Sequence, residues 1–239
     1  MTSTIPKPGF TVLYEHEAVL VLNKPAGVLT QAPRGVDSIE VRLREYLDGL
    51  GTYPQPLYIG LVHRLDRPVT GAIIFTYRKK AAQKLGKQFE RREVEKTYWA
   101  CVHGTVATPT GEWVDHVRKI PNQAHAEVVP PDHPEGREAR LTYQVLGHFE
   151  GGTWLEIQLQ TGRMHQIRIQ ASTHGHPIWG DRQYGSAAML GPEKEDPREQ
   201  PIALHARRLT FTDPALKERV TVEAPLPEYW NDLKLPAVE

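Results

Sequence analysis

The chain has one cysteine, no surplus of either charge and no long apolar run, and each scarcity excludes something. A lone cysteine, Cys101, cannot form an intramolecular disulfide, and its setting in Tyr98-Trp99-Ala100-Cys101-Val102 marks a buried, inert thiol rather than a nucleophile. That usage points to a reducing compartment. Lys plus Arg and Asp plus Glu both number 29, with a pI near 7.2, so nothing pulls the whole molecule toward nucleic acid. Any contact with a polyanion must come from a local patch. No stretch comes near the ~18 apolar residues of a membrane helix, and the opening MTSTIPKPGF lacks the basic-then-apolar order of a secretion leader. No internal repeat or low-complexity tract is present. The expected setting is the cytoplasm, with no membrane partner and, by default, a monomer.

What is present is an ordinary globular composition of 239 residues, 39% hydrophobic and 24% charged, enough for one large domain or two lobes sharing a cleft. Twenty prolines and 19 glycines imply many turns. Thr11 to Leu22 reads as two short strands ending in the turn Asn23-Lys24-Pro25-Ala26-Gly27. Asp37-Ser38-Ile39-Glu40 is a capping signal for an amphipathic helix, with Ile39, Leu43, Tyr46, Leu47 and Leu50 at helical spacing until Gly49 and Gly51 supply C-terminal stops. A basic helix is predicted from about Lys79 to Arg91 and a strand from Lys96 to Val102. Residues 105–140 predict two or three short strands and a loop over Val129 to Gly136. Leu141 to Leu146 and Thr153 to Leu159 alternate and are joined through Gly151-Gly152, a hairpin. Met164 to Thr173 predicts a helix ended by Gly175, residues 185–201 a mobile surface loop, and Leu204 to Phe211 and Val220 to Glu223 the last strands. Strands outnumber helices, and the class is α+β.

The chemistry concentrates in two blocks. In GLVHRLDRPVTGAIIF, residues 60–75, an apolar run breaks at His63-Arg64-Leu65-Asp66, so Asp66 projects from a loop between two strands. In Thr161-Gly162-Arg163-Met164-His165-Gln166-Ile167-Arg168, an arginine follows a tight glycine turn at a helix start. Such an arginine is what a carboxylate needs to stay ionised in a closed pocket, and Arg163 is the expected partner of Asp66. Spacing alone does not fix that pairing, and an arginine so placed serves a structural ion pair equally well.

Together GLVHRLDRPVTG, VLNKPAGVL, EKTYWACVHG, TGRMHQIRIQASTHGHPIWGDRQYG and IALHARRLTF, in that family's order over residues 14–225, resemble the RluA-type RNA pseudouridine synthases. The resemblance implies a long mixed, mainly antiparallel sheet flanked by helices and loops, with a central RNA cleft. It implies one catalytic domain over residues 1–239, in a short form without the N-terminal RNA-binding domain of many relatives. The implied reaction isomerises uridine in ribosomal or transfer RNA, and it needs no cofactor or metal. Asp66 matches the essential aspartate, acting either as nucleophile on the ribose or by abstracting a sugar proton. Arg163 would hold Asp66 ionised, and Tyr98 would stack on the detached uracil. Arg64, with His63 beside it, would help extrude the nucleotide or grip a phosphate. Lys24 and Pro25 match a family motif as structural residues. Thr70, Met164 and Trp179 depart from the usual serine, threonine and small aliphatic residue, which bears on the geometry around the pocket.

Plainer readings stand beside these. Asp66 could pair Arg67 on a surface loop, and Tyr98 could be a half-buried strand aromatic. His174, His176, His165 and Asp181 invite a metal reading, but capping and turn roles suffice and no ligand spacing is met. Lys80, Lys84, Lys87 and Arg91 form one stripe of the basic helix. Residues 78–96 hold eight Lys or Arg against three Glu, so a phosphate-contacting role is preferred to a merely solvated face. The rival functions are a non-catalytic RNA-binding protein and a hydrolase. A retaining hydrolase needs a second carboxylate near the first, and neither HRLD nor TGRMHQIR supplies one.

Overall fold

The computed structural model describes residues 9–53 and 55–237; most of the N-terminal stretch read above for a leader lies outside them. Short apolar runs build β1 (Thr11–His16) and β2 (Val19–Lys24), an antiparallel hairpin, with β2 running beside β4 (Thr70–Thr76). Because side chains alternate in a strand, β2 and β4 bury both faces. Leu20, Leu22, Ile73 and Phe75 pack with Ile39, Leu43 and Leu47 of α1 (Ile39–Leu50). Val19, Val21, Ala72 and Ile74 pack on the other side with Leu85 of α2 (Lys79–Glu90). The capping signal is realised: Ser38 accepts a hydrogen bond from the Val41 amide, and Gly51 closes α1 in the left-handed region at φ 65°, whereas Gly49 lies within the helix and does not stop it.

The short β3 (Gly60–Leu61) pairs with β4, and β4 meets β10 (Leu204–Thr212) in parallel at Thr70 and Gly71. From there the sheet continues through β5 (Glu95–His103), β9 (Gly152–Leu159), β8 (Arg137–Phe149), β6 (Thr110–Lys119) and β7 (Ala126–Val129), while β11 (Arg219–Glu223) pairs with β10. Among the described residues this is one 11-stranded sheet, antiparallel except at the β4–β10 junction. The α+β class and the mixed, mainly antiparallel sheet agree with expectation.

Three details differ. Residues 105–140 carry a ten-residue strand, β6, rather than only short ones, because its register with β8 runs unbroken from Thr110 to Val117. The helix α3 (Gln166–Thr173) starts two residues later than predicted, because His165 takes a left-handed conformation at φ 51° that no helical turn contains. Residues 185–201 are fastened rather than free: Leu190 is buried, Gln200 Nε2 donates to the Leu190 carbonyl, and Asp196 and Glu199 both pair with Arg67. Several polar anchors and a buried leucine outweigh a polar, proline-rich composition.

Candidate active site

Residues 62–69, between β3 and β4, form the loop that carries Asp66, and its neighbours hold it at almost every residue. Thr30 Oγ1 donates to the Leu65 carbonyl at 2.8 Å and accepts from the Leu65 amide at 3.1 Å. His63 Nε2 accepts from the Ile74 amide at 2.9 Å while its ring stacks on Phe89. Burial pushes that imidazole down to about 3, and the nearby Lys96 adds to the effect, so His63 is a neutral pin between the loop and β4. Lys24 is fully buried and its ammonium donates to the carbonyls of Pro25, Val28 and Arg67. Burial lowers Lys24 to about 7 against the opposing pull of the Asp66 charge. Its structural assignment fits these three bonds, which tie the Asn23–Gly27 turn to the Asp66 loop.

The loop runs into β4 past Gly71, at φ 112°, where a Cβ would run into the backbone of Ala206. Only glycine permits the β4–β10 approach. Thr70 keeps its hydroxyl in use, 2.7 Å from Nδ1 of the buried His205.

Asp66 is 27% exposed, and one carboxylate oxygen, Oδ2, faces two groups from the start of α3. Nη1 of Arg168 lies at 3.3 Å and Nε2 of His165 at 3.8 Å. Arg168 is almost wholly buried, its fork spent elsewhere: Nε and Nη2 donate to the two oxygens of buried Asp181 at 2.6 and 2.8 Å, and Nη2 also reaches Gln183. Its guanidinium lies over the Tyr184 ring, 5.0 Å from the centroid. Burial alone would make Arg168 easier to deprotonate, but Asp181 and then Asp66 hold it firmly protonated. Tyr98, on β5, is buried; desolvation and the Asp66 charge raise its hydroxyl well above 10.0, so it stays a neutral phenol.

The pairing of Asp66 with Arg163 is corrected. Arg163 Nε donates to the Glu138 carbonyl on β8 at 2.8 Å, and the guanidinium that reaches Asp66 belongs to Arg168, five residues further on and inside α3. The glycine turn at residues 161–163 faces β8, and the left-handed residue His165 redirects the chain before α3 begins. Asp66 does not pair with Arg67, which is engaged by Asp196 and Glu199. Arg64 is exposed and has no hydrogen bond or ion pair among the described residues. The lysines of α2 are also exposed. Lys80 and Lys84 border a groove with Glu17 and Arg78, Lys84 donates to the Pro214 carbonyl, and Lys87 lies beside Gln83 and Glu90.

The histidines imagined as metal ligands have other uses. His174 stacks on Trp113 and meets Asp115, His176 bonds the His103 carbonyl, and Asp181 serves Arg168. Trp179 stacks on His103 at 4.4 Å and meets Phe149 edge-on, so its bulk is absorbed at the end of β5.

Arg168 and Tyr184 were not among the residues expected at the site, and His165 and Asp181 were weighed only as metal ligands. One signal was present: Ile167 and Ala171 define the buried side of α3, and Arg168 sits on it, where a charge requires a partner.

Comparison with known proteins places the geometry in a family context. The family described as RNA pseudouridylate synthase matches residues 18–173, which includes Asp66, Tyr98 and Arg168. The dual-specificity RNA pseudouridine synthase RluA of Escherichia coli K12 is 33% identical over 229 residues, covering 92% of this chain and 94% of the relative. The ribosomal large subunit pseudouridine synthase D of Pseudomonas aeruginosa is 32% identical over 91% of this chain and 68% of its own length. The solved structure of human RNA pseudouridylate synthase domain containing 4 superposes with a TM-score of 0.76 at 25% identity, covering 95% of this chain and 94% of that one.

Proposed function

Because the chain belongs to the RNA pseudouridylate synthase family and is an isomerase converting uridine in RNA to pseudouridine, we propose that Asp66 carries the reaction, oriented by Arg168, with Tyr98 beside the base. The contact between Arg168 Nη1 and Asp66 Oδ2 is the observation that carries this reading. It joins a half-open carboxylate to a buried, over-determined cation.

The bond from uracil N1 to ribose C1′ breaks, a bond from C5 to C1′ forms, the hydrogen on C5 leaves as a proton, and N1 takes up a proton in exchange. The change is redox-neutral and calls for no electron carrier. Asp66 can serve in two ways: a carboxylate oxygen attacks C1′ as a nucleophile, or it takes a sugar proton to give a glycal-like intermediate. Tyr98, as a neutral phenol, offers a flat face on which the detached uracil can turn in its own plane. Arg64, exposed two residues before Asp66, takes the space left by the extruded nucleotide or a flanking phosphate. Lys80, Lys84 and Lys87 extend that cationic surface along α2.

The substrate we propose is structured ribosomal or transfer RNA. Relatives named as ribosomal large subunit synthases support the first. Residues 105–140 and 185–201 are proposed to select the uridine, the second segment being tied to the Asp66 loop through Arg67. The chain is proposed to act as a single catalytic unit, monomeric and cytoplasmic.

Tritium release from RNA labelled at uracil C5 tests this, with binding of the same RNA measured in parallel. Wild type releases tritium and Asp66→Ala does not, while both bind RNA. Release by Asp66→Ala would overturn the role of Asp66, and equal binding without release by either protein would favour a binding module.

A further inference from the structure

We propose that His165 is a positioning residue: a neutral imidazole whose Nε2–H faces the Asp66 oxygen already held by Arg168, reserving the other oxygen for the ribose. The inference rests on the reading of Asp66 as the reacting carboxylate.

The argument begins at the Tyr184 hydroxyl. The Ala126 amide donates to that oxygen at 2.9 Å, and Nδ1 of His165 lies 2.8 Å from it. A phenol has one hydrogen to give, and among the described residues His165 Nδ1 is its only acceptor. Nδ1 therefore accepts, and in a neutral ring the proton sits on Nε2, the nitrogen facing Asp66 Oδ2 at 3.8 Å. The groups around this ring are Asp66 on its loop, Arg168 on α3, Asp181 and Tyr184 beyond it, and His125 in the turn before β7. Burial works against a charge on the ring despite the nearby carboxylates. The Arg168 guanidinium next to it already supplies one full cation.

The backbone makes the same point independently. His165 holds φ 51° and ψ 26°, a left-handed conformation uncommon for residues other than glycine, though histidine adopts it more readily than most. That turn of the backbone, just before α3, is what aims the imidazole at the reacting carboxylate. Both contacts fall on Oδ2, and Oδ1 has no partner among the described residues. One oxygen anchors the carboxylate and the other is presented.

His165→Asn separates this role from a structural one, because asparagine tolerates the left-handed backbone but is too short to reach Asp66. Its kcat for tritium release is expected to fall at least tenfold, with KM for RNA within twofold and Tm unchanged or higher. Imidazole ¹⁵N NMR supplies a second readout: wild-type His165 carries its proton on Nε2, and Tyr184→Phe shifts the population toward the Nδ1–H form. A wild-type kcat in His165→Asn, a fall in kcat matched by a fall in Tm, or an Nδ1–H signal in wild type would overturn the proposal. Asp66→Ala is run alongside. If it stays active, the reading of Asp66 fails and takes this inference with it; if it is inactive while His165→Asn is normal, this inference alone fails.

Discussion

Asp66 receives only the tip of the Arg168 guanidinium, one contact at 3.3 Å, while Asp181 takes the fork in two bonds of 2.6 and 2.8 Å. The division has a physical use. A carboxylate gripped by the whole fork would be sequestered, whereas one touched at a single oxygen is oriented and still available. Asp181 is thus the residue that fixes where Arg168 points.

Asp181→Asn removes the charge that holds the buried fork. Breaking one side of a buried ion pair costs about 3–5 kcal/mol. Urea unfolding should show that loss, and tritium release at a temperature where the variant is folded should fall at least tenfold. Full activity in the folded variant would mean that Arg168 is positioned by something else.

Gly71→Ala puts a methyl group into the Ala206 backbone at a positive φ, where the parallel β4–β10 contact forms. Backbone on both sides leaves no flexible atom to yield. A loss of about 3 kcal/mol or more, or insoluble protein, is expected. A variant as stable as wild type would show that β4 and β10 can separate.

Much of this arrangement could be read from residue order, and the limits were physical. Ser38 and Gly51 marked the ends of α1, the apolar run Ala18 to Leu22 marked β2, and alternation marked β8 and β9, because local chemistry and periodicity set those features. Asp66 stood out because a carboxylate interrupts an apolar run. The identity of its arginine did not, because residues 163 and 168 lie about a hundred positions away and a single left-handed residue decides which of them turns inward. His63 looked available for substrate, yet its role as a pin depends on the Ile74 amide across a hairpin. The anchoring of residues 185–201 was equally hidden, because it rests on distant charges meeting Arg67.

Acid should loosen the fold through buried histidines. His205 is fully buried, and burial lowers it to about 4, below its ordinary 6.5. A neutral ring in the folded state and a protonated one in the unfolded state mean stability is lost as pH falls from 6.5 toward 4, by up to about 1.4 kcal/mol per pH unit for this group. His63 adds a loss of the same sign. Urea unfolding at pH 6.5, 5.5 and 4.5 should give a steeper decline for wild type than for His205→Asn, whose stability starts lower. Equal slopes would remove His205 as a cause.

Arg64→Ala should leave stability within about 0.5 kcal/mol, since the exposed side chain has no partner among the described residues. KM for RNA is expected to rise severalfold and its salt dependence to weaken. An unchanged KM would take Arg64 out of the RNA interface.

The most direct test of the account sets Arg168 against Arg163. Single-turnover tritium release, with enzyme in excess over labelled RNA, is measured for Arg168→Met and Arg163→Met at equal folded fraction. The contact at Asp66 predicts a loss of about a hundredfold or more for Arg168→Met and a change within about threefold for Arg163→Met. The reverse order would show that the guanidinium orienting Asp66 during catalysis is Arg163, and would contradict the assignment made from the folded chain.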